Sequence, residues 1–511
     1  MAWTGDYMSI LTEIMNERPM DDVIESIGFR NAIYNRVTKT SRQEDFYGRY
    51  AKLLIHTGFG MNAAPRVERG DVPYPGQDAF MEIHLNESEY MGSIGWTQEE
   101  LEGAVRAKGA ALIDLVNLKM KNAPLDMRFK LNYAFQMDGT GRLARVSANT
   151  ETAATTINAL TVDNDVTYKD FGCKTTKFIR NGMKVDVWHL VSNPGATFPV
   201  EATFACRAWN ATVSAVNHSA GTFTITYDGT TLLGTSSHVI ADGDFVFLHN
   251  SMIVGTSSAD ASTAVAVPAI GTTYDWIAWT NTPGLRAICD DNGCSGNEFT
   301  AGGSAELHNG SWYGRAFQAV SHAGGAAVAA NASRGSYATL LGRVAKADTW
   351  GAGTGGTSMA CDLEVINGEI RRIDEESETG GEVTAMYMNG ATRDWMAGLA
   401  YAQQNAFVQV TDGKIIPGIP NITGFRSATG RIIPVIPASL MPDSEILMGD
   451  ERDLILFQSI PIDWYMGMGS KSFAAPGSRN LTFEQWLRTK CLLAAKRCDN
   501  WTRIEDIDLT A

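Results

Sequence analysis

The stretch that most limits what this chain can become runs from Thr97 to Gly141. Thr97 and Glu100 form a T-x-x-E capping box, a reciprocal pairing that satisfies two free amides at a helix start. Behind it Leu101, Ala104, Val105, Lys108, Leu112, Leu115 and Val116 keep helical spacing. The pattern predicts a helix to Asn122, about 40 Å long at about 1.5 Å per residue. Pro124 is expected to stop or kink it, with a second helix from Asp126 towards Gln136. Asp138-Gly139-Thr140-Gly141 follows. A Gly-rich turn beside an Asp can cradle a phosphate, yet no Lys-Ser/Thr comes after it. Its flanks, a long helix before and a long excursion after, mark it as a turn between subdomains.

Upstream, residues 1–45 read as an arm. Met8, Leu11, Ile14 and Met15 share one helical face, Val23, Ile24 and Ile27 another, with Pro19 between them and Gly28 at the end. Two such short pieces cannot bury their faces alone and need the body or a neighbouring chain. Residues 46–96 read as a long hairpin. Met81, Ile83 and Leu85 alternate with Glu82, His84 and Asn86, and an earlier strand is expected over Tyr47–His56. The aperiodic connection TGFGMNAAPRVERGDVPYPG between them is unusually long for a compact domain, which points to an interaction element. Its tip alternates in charge, Arg66, Glu68, Arg69, Asp71, a pattern suited to docking on another subunit.

Downstream, residues 200–275 read as a separable all-β insertion. It is rich in Thr and Val, alternates at Phe223, Ile225 and Tyr227, and turns at Asp228-Gly229 and Asp242-Gly243. Gly/Ala/Ser stretches at 255–273, 323–337 and 351–358 read as loops or linkers. MYMNGATRDWMAGLAYAQQN predicts a strand and then a helix opening near Asn389. IIPGIPNITGF and RIIPVIP are broken by prolines, which suits edge or irregular strands. SEILMGDERDLILFQSIPIDWYMGMG predicts two more strands. The final LTFEQWLRTKCLLAAKRCDNWTRIEDI is open between helix and strand.

The 511 residues allow roughly two to four domains. A net charge of −15 argues against sequence-specific DNA binding, which normally shows a basic footprint. It suits a surface that lies near nucleic acid without sticking to it. Cys173, Cys206, Cys289, Cys294, Cys361, Cys491 and Cys498 are odd in number and lack a C-x-x-C, so reduced thiols and cytoplasmic folding are expected. No signal peptide is visible at the N-terminus, and no apolar run approaches the roughly 20 residues of a membrane helix. Glycosylation is therefore not read from the triplets at Asn210, Asn309 and Asn421.

Catalytic signals are absent. Gly351–Gly356 matches G-x-G-x-x-G formally, but ADTW before it is a poor strand and a loop is the better reading. Asp290–Glu298 is oxygen-rich without the glycine placement of a calcium loop. Cys289 and Cys294 have no second pair to make a zinc site. The eight His residues do not cluster, and neither G-x-S-x-G nor H-E-x-x-H occurs. No enzyme, cofactor or metal is expected.

In order, these features resemble one family. The arm, the charged-tip hairpin, the capped helix and the DGTG turn precede PGLRAICDDNG, ELHNGSWYGRAFQAV, EVTAMYMNGATRDWMAGL and ILMGDERDLILFQSIPIDWYMG. That order resembles the major capsid proteins of tailed double-stranded DNA bacteriophages, with the α+β Hong Kong 97-type fold. The resemblance implies an N-terminal arm (1–45), an extended β-hairpin loop (46–96), a peripheral domain with its spine helix (97–199), a β-rich insertion (200–275), an axial domain (276–439) and a return to the peripheral domain (440–511). It also implies strand in the final segment. Hexamers and pentamers would form an icosahedral shell in the virion, assembled in the host cytoplasm, with Arg66, Glu68, Arg69 and Asp71 at a subunit interface. Implied partners are a separate scaffolding protein, a portal, decoration proteins and non-specifically held packaged DNA. Lys52 lies where some members crosslink, but no crosslink is read from it. The rival reading is a β-rich virion or cell-surface binding module, with 200–275 as the recognition domain and an exposed aromatic groove as its mark.

Overall fold

The computed structural model describes residues 32–40, 42–44, 51–58, 79–85, 87–97, 112–137, 139, 141–149, 157–162, 175–190, 204–226, 240–255, 264–265, 268–269, 272–274, 276–282, 284–289, 318–321, 343–346, 363–376, 381–403, 410–411, 414–415, 424–427, 430–438, 440–441, 445–465, 473–474, 482–505 and 507. The two arm helices expected at 8–15 and 23–27, the DGTG residues Asp138 and Thr140, the Gly351–Gly356 run and Asp290–Glu298 lie outside these residues.

The helices are α1 (Ala32–Thr40), α2 (Leu112–Gln136), α3 (Leu285–Ile288), α4 (Leu363–Glu376) and α5 (Gly390–Gln403). The early strands are β1 (Arg42–Glu44), β2 (Ala51–Gly58), β3 (Ala79–Leu85) and β4 (Ser88–Thr97). The middle strands are β5 (Arg142–Asn149), β6 (Ile157–Val162), β7 (Lys184–Leu190), β8 (Phe204–Asn217), β9 (Thr222–Thr226), β10 (Phe245–Leu248), β11 (Met252–Gly255), β12 (Ala264–Val265), β13 (Thr273–Tyr274) and β14 (Trp276–Trp279). Then come β15 (Gln318–Ser321), β16 (Arg343–Lys346), β17 (Ala385–Met388), β18 (Val410–Thr411), β19 (Lys414–Ile415), β20 (Gly424–Arg426), β21 (Ile432–Pro437), β22 (Ile446–Gly449), β23 (Leu454–Trp464), β24 (Phe473–Ala474), β25 (Thr482–Ala495) and β26 (Trp501–Glu505).

α2 passes through Pro124 without ending, so of the expected stop or kink the stop does not occur, and the second helix expected from Asp126 is part of the same element. An interior proline costs about 3 kcal/mol, and burial on two sides of the helix outweighs it. Met127, Leu131 and Phe135, spaced by four, enter one core. Tyr133 and Met137 enter another. A fully buried side chain of this size is worth roughly 1.5–3 kcal/mol. Thr97 closes β4, paired to Thr482, and residues 98–111 lie outside the described residues.

The first core lies between α2 and a sheet ordered β1-β23-β25, with β4 on the far side of β25 and β24 extending the near side. β25 settles the ambiguity of the closing segment as strand. Leucine-rich as it is, it gains hydrogen-bonding partners on both edges, and Gln485, Leu487, Thr489 and Cys491 alternate into the interior. The sheet therefore joins segments from both ends of the chain. α1 fills its open end with Ile33 and Val37, both fully buried.

The largest departure from expectation is the β region. β8, β7, β10, β5, β6 and β9 pair antiparallel in that order, and β9 pairs back to β8. This closes a six-stranded barrel, which leaves no free edge. Its interior holds Leu143, Val146, Leu160, Val162, Val185, Val187, Val213, Phe223, Ile225 and Val246. The unit begins at residue 142, so the expected boundaries of 97–199 and 200–275 cut through one sheet. Lys184–Leu190 alternates Val185 and Val187 with Asp186, a strand signal inside the stretch given to the preceding domain. A small sheet, β12-β11-β14, accompanies the barrel, and Met252 and Val254 of β11 share a second apolar cluster with Trp188, Phe204, Phe245, Phe247 and Tyr274. The aromatics of this cluster are buried.

A third core lies beside a six-stranded sheet, β16-β26-β22-β17-β21-β20. α4 contributes Ile366, Ile370 and Ile373, α5 Trp395 and Met396, and the strands Met386, Met388, Val435, Met448 and Ile504. The prolines of RIIPVIP do not place it at an edge: β21 sits between β17 and β20. Nor is residue 440 a sheet boundary, because β22 and β26 join this sheet while β23 and β25 join the first.

The turn after β25 carries a pH dependence. Burial pushes the Asp499 carboxyl up to about 6, with Arg497 opposing and Asp453 reinforcing the shift. Burial raises Asp453 as well, although Asn500 donates to it at 2.6 Å. A carboxyl raised in the folded state stabilises fully below its unfolded value and loses that contribution as pH rises through the folded one. Stability should therefore fall between about pH 4 and pH 6. Asp499→Asn is expected to gain about 1 kcal/mol at pH 7.5, after discounting for solvent access, and nothing near pH 4. Urea midpoints at the two pH values check this; an equal effect at both would remove Asp499 as the source.

Candidate assembly surface

The residues read as an interface, Arg66, Glu68, Arg69 and Asp71, lie outside the described residues. The hairpin that carries them is described. β2 and β3 pair antiparallel from Ala51↔Leu85 to Gly58↔Ala79. The expected alternation at 81–85 is β3, and the expected first strand is described over Ala51–Gly58, its expected beginning at Tyr47 lying outside the described residues. A third strand, β15, joins the other edge of β3 from more than two hundred residues away, with Gln318 opposite His84. These three make a sheet of their own.

Only Asn86 and Glu87 separate β3 from β4, which belongs to the first sheet. Glu87 fixes this joint. Its carboxylate accepts the Ser459 amide at 3.0 Å and the Ser459 hydroxyl at 2.7 Å. Ser459 is available because β23 shifts register between Gln458 and Ile460, leaving it without a partner on β25. The irregularity thus aims a pair of donors at the hairpin's root.

The arm is anchored differently. Arg36 of α1 donates Nε and Nη2 to Glu451, at 2.9 and 2.8 Å to the two carboxylate oxygens. The Tyr387 hydroxyl donates to the same carboxylate, and the Glu451 amide donates to Thr384 Oγ1 at 2.8 Å. Burial, then Glu451 itself, holds the Tyr387 phenol well above its ordinary range. Beside it the Tyr34 amide donates to Asn132 Oδ1 at 2.9 Å, and the Tyr34 ring stacks on Phe135. Sequence reasoning missed α1; the signal was Ile33 and Val37 four residues apart, past the glycine taken as the helix end. Arg36→Ala leaves Glu451, 5% exposed, without its cation. A fully buried broken pair costs about 3–5 kcal/mol. Because Arg36 is itself part-exposed, we expect about 2–3 kcal/mol, with Arg36→Lys recovering less than half for want of the guanidinium fork. Urea unfolding of the three proteins checks this, and a wild-type midpoint for Arg36→Ala would dismiss the anchor.

Two histidine–carboxylate pairs sit on the barrel, invisible in a sequence where their partners are far apart. His249 Nδ1 lies 2.8 Å from Asp186 Oδ1, and His189 Nδ1 lies 2.7 Å from Asp244 Oδ1. Both carboxylates are buried and have structural duties. Asp186 accepts the amides of Asn210 and Asn250, the two non-glycine residues with positive φ among those described. Asp244 accepts the Ala241 amide at 2.8 Å. Among the described residues no three His, Cys, Asp or Glu side chains gather as metal ligands. Cys206, Cys289, Cys491 and Cys498 are buried and in no disulfide, and burial pushes the Cys206 thiol up. No described helix is long and apolar enough to cross a membrane.

No family model matches this sequence, and no curated protein does. Among solved structures, the chain is similar to the cyanophage A-1(L) capsid asymmetric unit, at 10% identity over 97% of this chain and 98% of that one, with a TM-score of 0.44. It is similar to the capsid of the empty GTA particle at 10% identity, covering 99% and 98% of the two chains, with a TM-score of 0.40. A chain of Mycobacterium phage Bobi is similar at 8% identity over 97% of each, with a TM-score of 0.37.

Proposed function

We propose that this chain is a major capsid protein of a tailed double-stranded DNA bacteriophage, with a Hong Kong 97-type fold, which builds an icosahedral head from hexamers and pentamers. One observation carries the reading. A helix-on-sheet body made from both ends of the chain is joined, through two residues fixed by Glu87 and Ser459, to a separate hairpin sheet. A subunit of a closed shell needs such a body to repeat and such a projection to reach its neighbours, since stable contacts bury roughly 800 Å² per partner.

In this reading α2 is the spine of the peripheral domain, the hairpin is the extended loop, and the sheet under α4 and α5 belongs to the axial domain. The barrel is an added module. Arg66, Glu68, Arg69 and Asp71 meet a neighbouring subunit. The protein is a virion component without catalytic activity. It assembles with a separate scaffolding protein, a portal and decoration proteins, and its acidic surface lets packaged DNA slide.

The charged tip gives the test. Arg66→Glu with Arg69→Glu sets like charges against the surface the tip meets, a mismatch that costs several kcal/mol at an interface. An exposed ion pair within the free subunit is worth only about 0–1 kcal/mol. Shell yield by sedimentation should collapse while the melting temperature of the unassembled protein stays at the wild-type value. Normal assembly would make the tip a solvated loop. A destabilised monomer would mean that the hairpin folds back on its own subunit.

A further inference from the structure

The sheet β16-β26-β22-β17-β21-β20 is covered on both faces at its centre. Ile433 and Val435 of β21 enter the third core, while Tyr387 of β17 and Leu447 of β22 enter the first. Ile436 pairs with Tyr387 and packs against that same first core. Side chains alternate along a strand, so Ile436, Pro434 and Ile432 share one face of β21. An apolar stripe thus leaves the core and runs to the surface. Ile436 and Pro434 are half-buried, and Ile432, 76% exposed, is the most exposed large apolar side chain among the described residues. It leans over Gly424, where a Cβ would come within 2.9 Å of its Cγ2. β20 ends the sheet, and no described strand covers its far edge.

The charges near the stripe bear on what covers it. Arg431, next to Ile432, binds Asp374 and Glu382, and Arg452 also holds Glu382 at 2.7 Å. Those anions are matched within the chain. Arg426 is different. It lies directly opposite Ile432 in the β20–β21 pair, is exposed, and has no ion-pair partner among the described residues. Paired residues share a face, so an exposed apolar group and an unpaired cation stand side by side. That combination fits an apolar surface bearing acidic groups, and a chain of net charge −15 supplies acidic surface in its own copies. An isologous contact would set the patch against itself and bring two Arg426 guanidinium groups together. A heterologous contact avoids this, and such contacts close copies into rings. We propose, on the capsid reading, that Arg426, Ile432 and Pro434 form a heterologous contact that docks on an acidic surface of the next copy in a ring of subunits.

The test is sedimentation of the full chain, alone and with any scaffolding protein, for the wild type, Ile432→Asp, Arg426→Glu and Ile253→Asp, with thermal melting of each unassembled protein. Ile253, 42% exposed on β11, is the control, because its substitution adds the same charge to apolar surface outside the patch. Ile432→Asp and Arg426→Glu should each weaken association at least about tenfold, as loss of a residue central to an interface does. Their melting temperatures should stay at the wild-type value, and Ile253→Asp should assemble as the wild type does. Normal assembly of either patch variant would overturn the proposal and leave the capsid reading standing. An equal loss in Ile253→Asp would overturn it too, by showing that added negative charge alone blocks association. So would a lowered melting temperature for Ile432→Asp, since the stripe would then be covered by its own chain. Small discrete oligomers that both patch variants dissociate would uphold the contact and contradict the shell. A wild type that stays a single subunit at high concentration would contradict both.

Discussion

A chain lacking residues 200–275, rejoined by a short linker, is expected to aggregate rather than fold. The cut removes β8 to β13 and leaves β5, β6 and β7 without the strands that close the barrel. Leu143, Val146, Leu160, Val162, Val185 and Val187, all buried, would face solvent. At roughly 1.5–3 kcal/mol each, their exposure matches or exceeds the whole stability of about 5–15 kcal/mol of an ordinary domain. The exposed strand edges add a template for aggregation. A cut at the barrel's own two ends should behave differently. Removing residues 142–279 takes out the barrel whole, and Gly141 already lies against Asn281. That chain should stay soluble and melt cooperatively, at the cost of exposing Tyr133, Met137 and Leu440, which cap the barrel core. Soluble yield and thermal melting of the two deletions decide the point. A cooperative melt for the 200–275 deletion would show that the barrel is not one unit.

Gly284→Ala is expected to be the most damaging single methyl in the described chain. The backbone there is ordinary, at φ −113°, so conformational freedom is not the reason. Space is. A Cβ would fall against the carbonyl oxygens of Ala134 and Met137, the end of α2. Those oxygens cannot rotate aside, because the Met137 amide is bonded to Tyr133 and the helix is buried on two sides. Overpacking usually costs about 1–3 kcal/mol, and backbone on the far side puts this case at about 3 kcal/mol or more. Gly398→Ala, inside α5 with open space around it, should instead gain up to about 1 kcal/mol of helix propensity. Urea midpoints at constant slope report both. A Gly284→Ala protein as stable as wild type would mean that α3 docks on α2 less tightly than described.

How much was legible in the sequence follows from the range of the forces. Local patterns were readable: the alternation of Met81, Ile83 and Leu85, the strand and helix around Asn389, and the two strands flanking Asp450. Gly139 and Gly141, both with positive φ, make the change of direction read from the DGTG turn. Long-range burial was not readable. Pro124 read as a stop or kink because propensity is local, whereas the two cores that carry α2 past it are assembled from residues as distant as Trp501. The barrel's start was lost because β7 and β8 pair across the stretch where composition changes. α4, LEVINGEIRRIDEE, went unread despite Ile366, Ile370 and Ile373 on one face. That β25 is strand came from the family resemblance, since its own leucines and alanines favour helix.

The most direct test of the capsid reading is negative-stain electron microscopy of the full chain, expressed alone and with any scaffolding protein. Closed shells of uniform diameter, with rings of six and five subunits, are the predicted result. Discrete single subunits at high concentration, with scaffold present and under virion conditions, would contradict it.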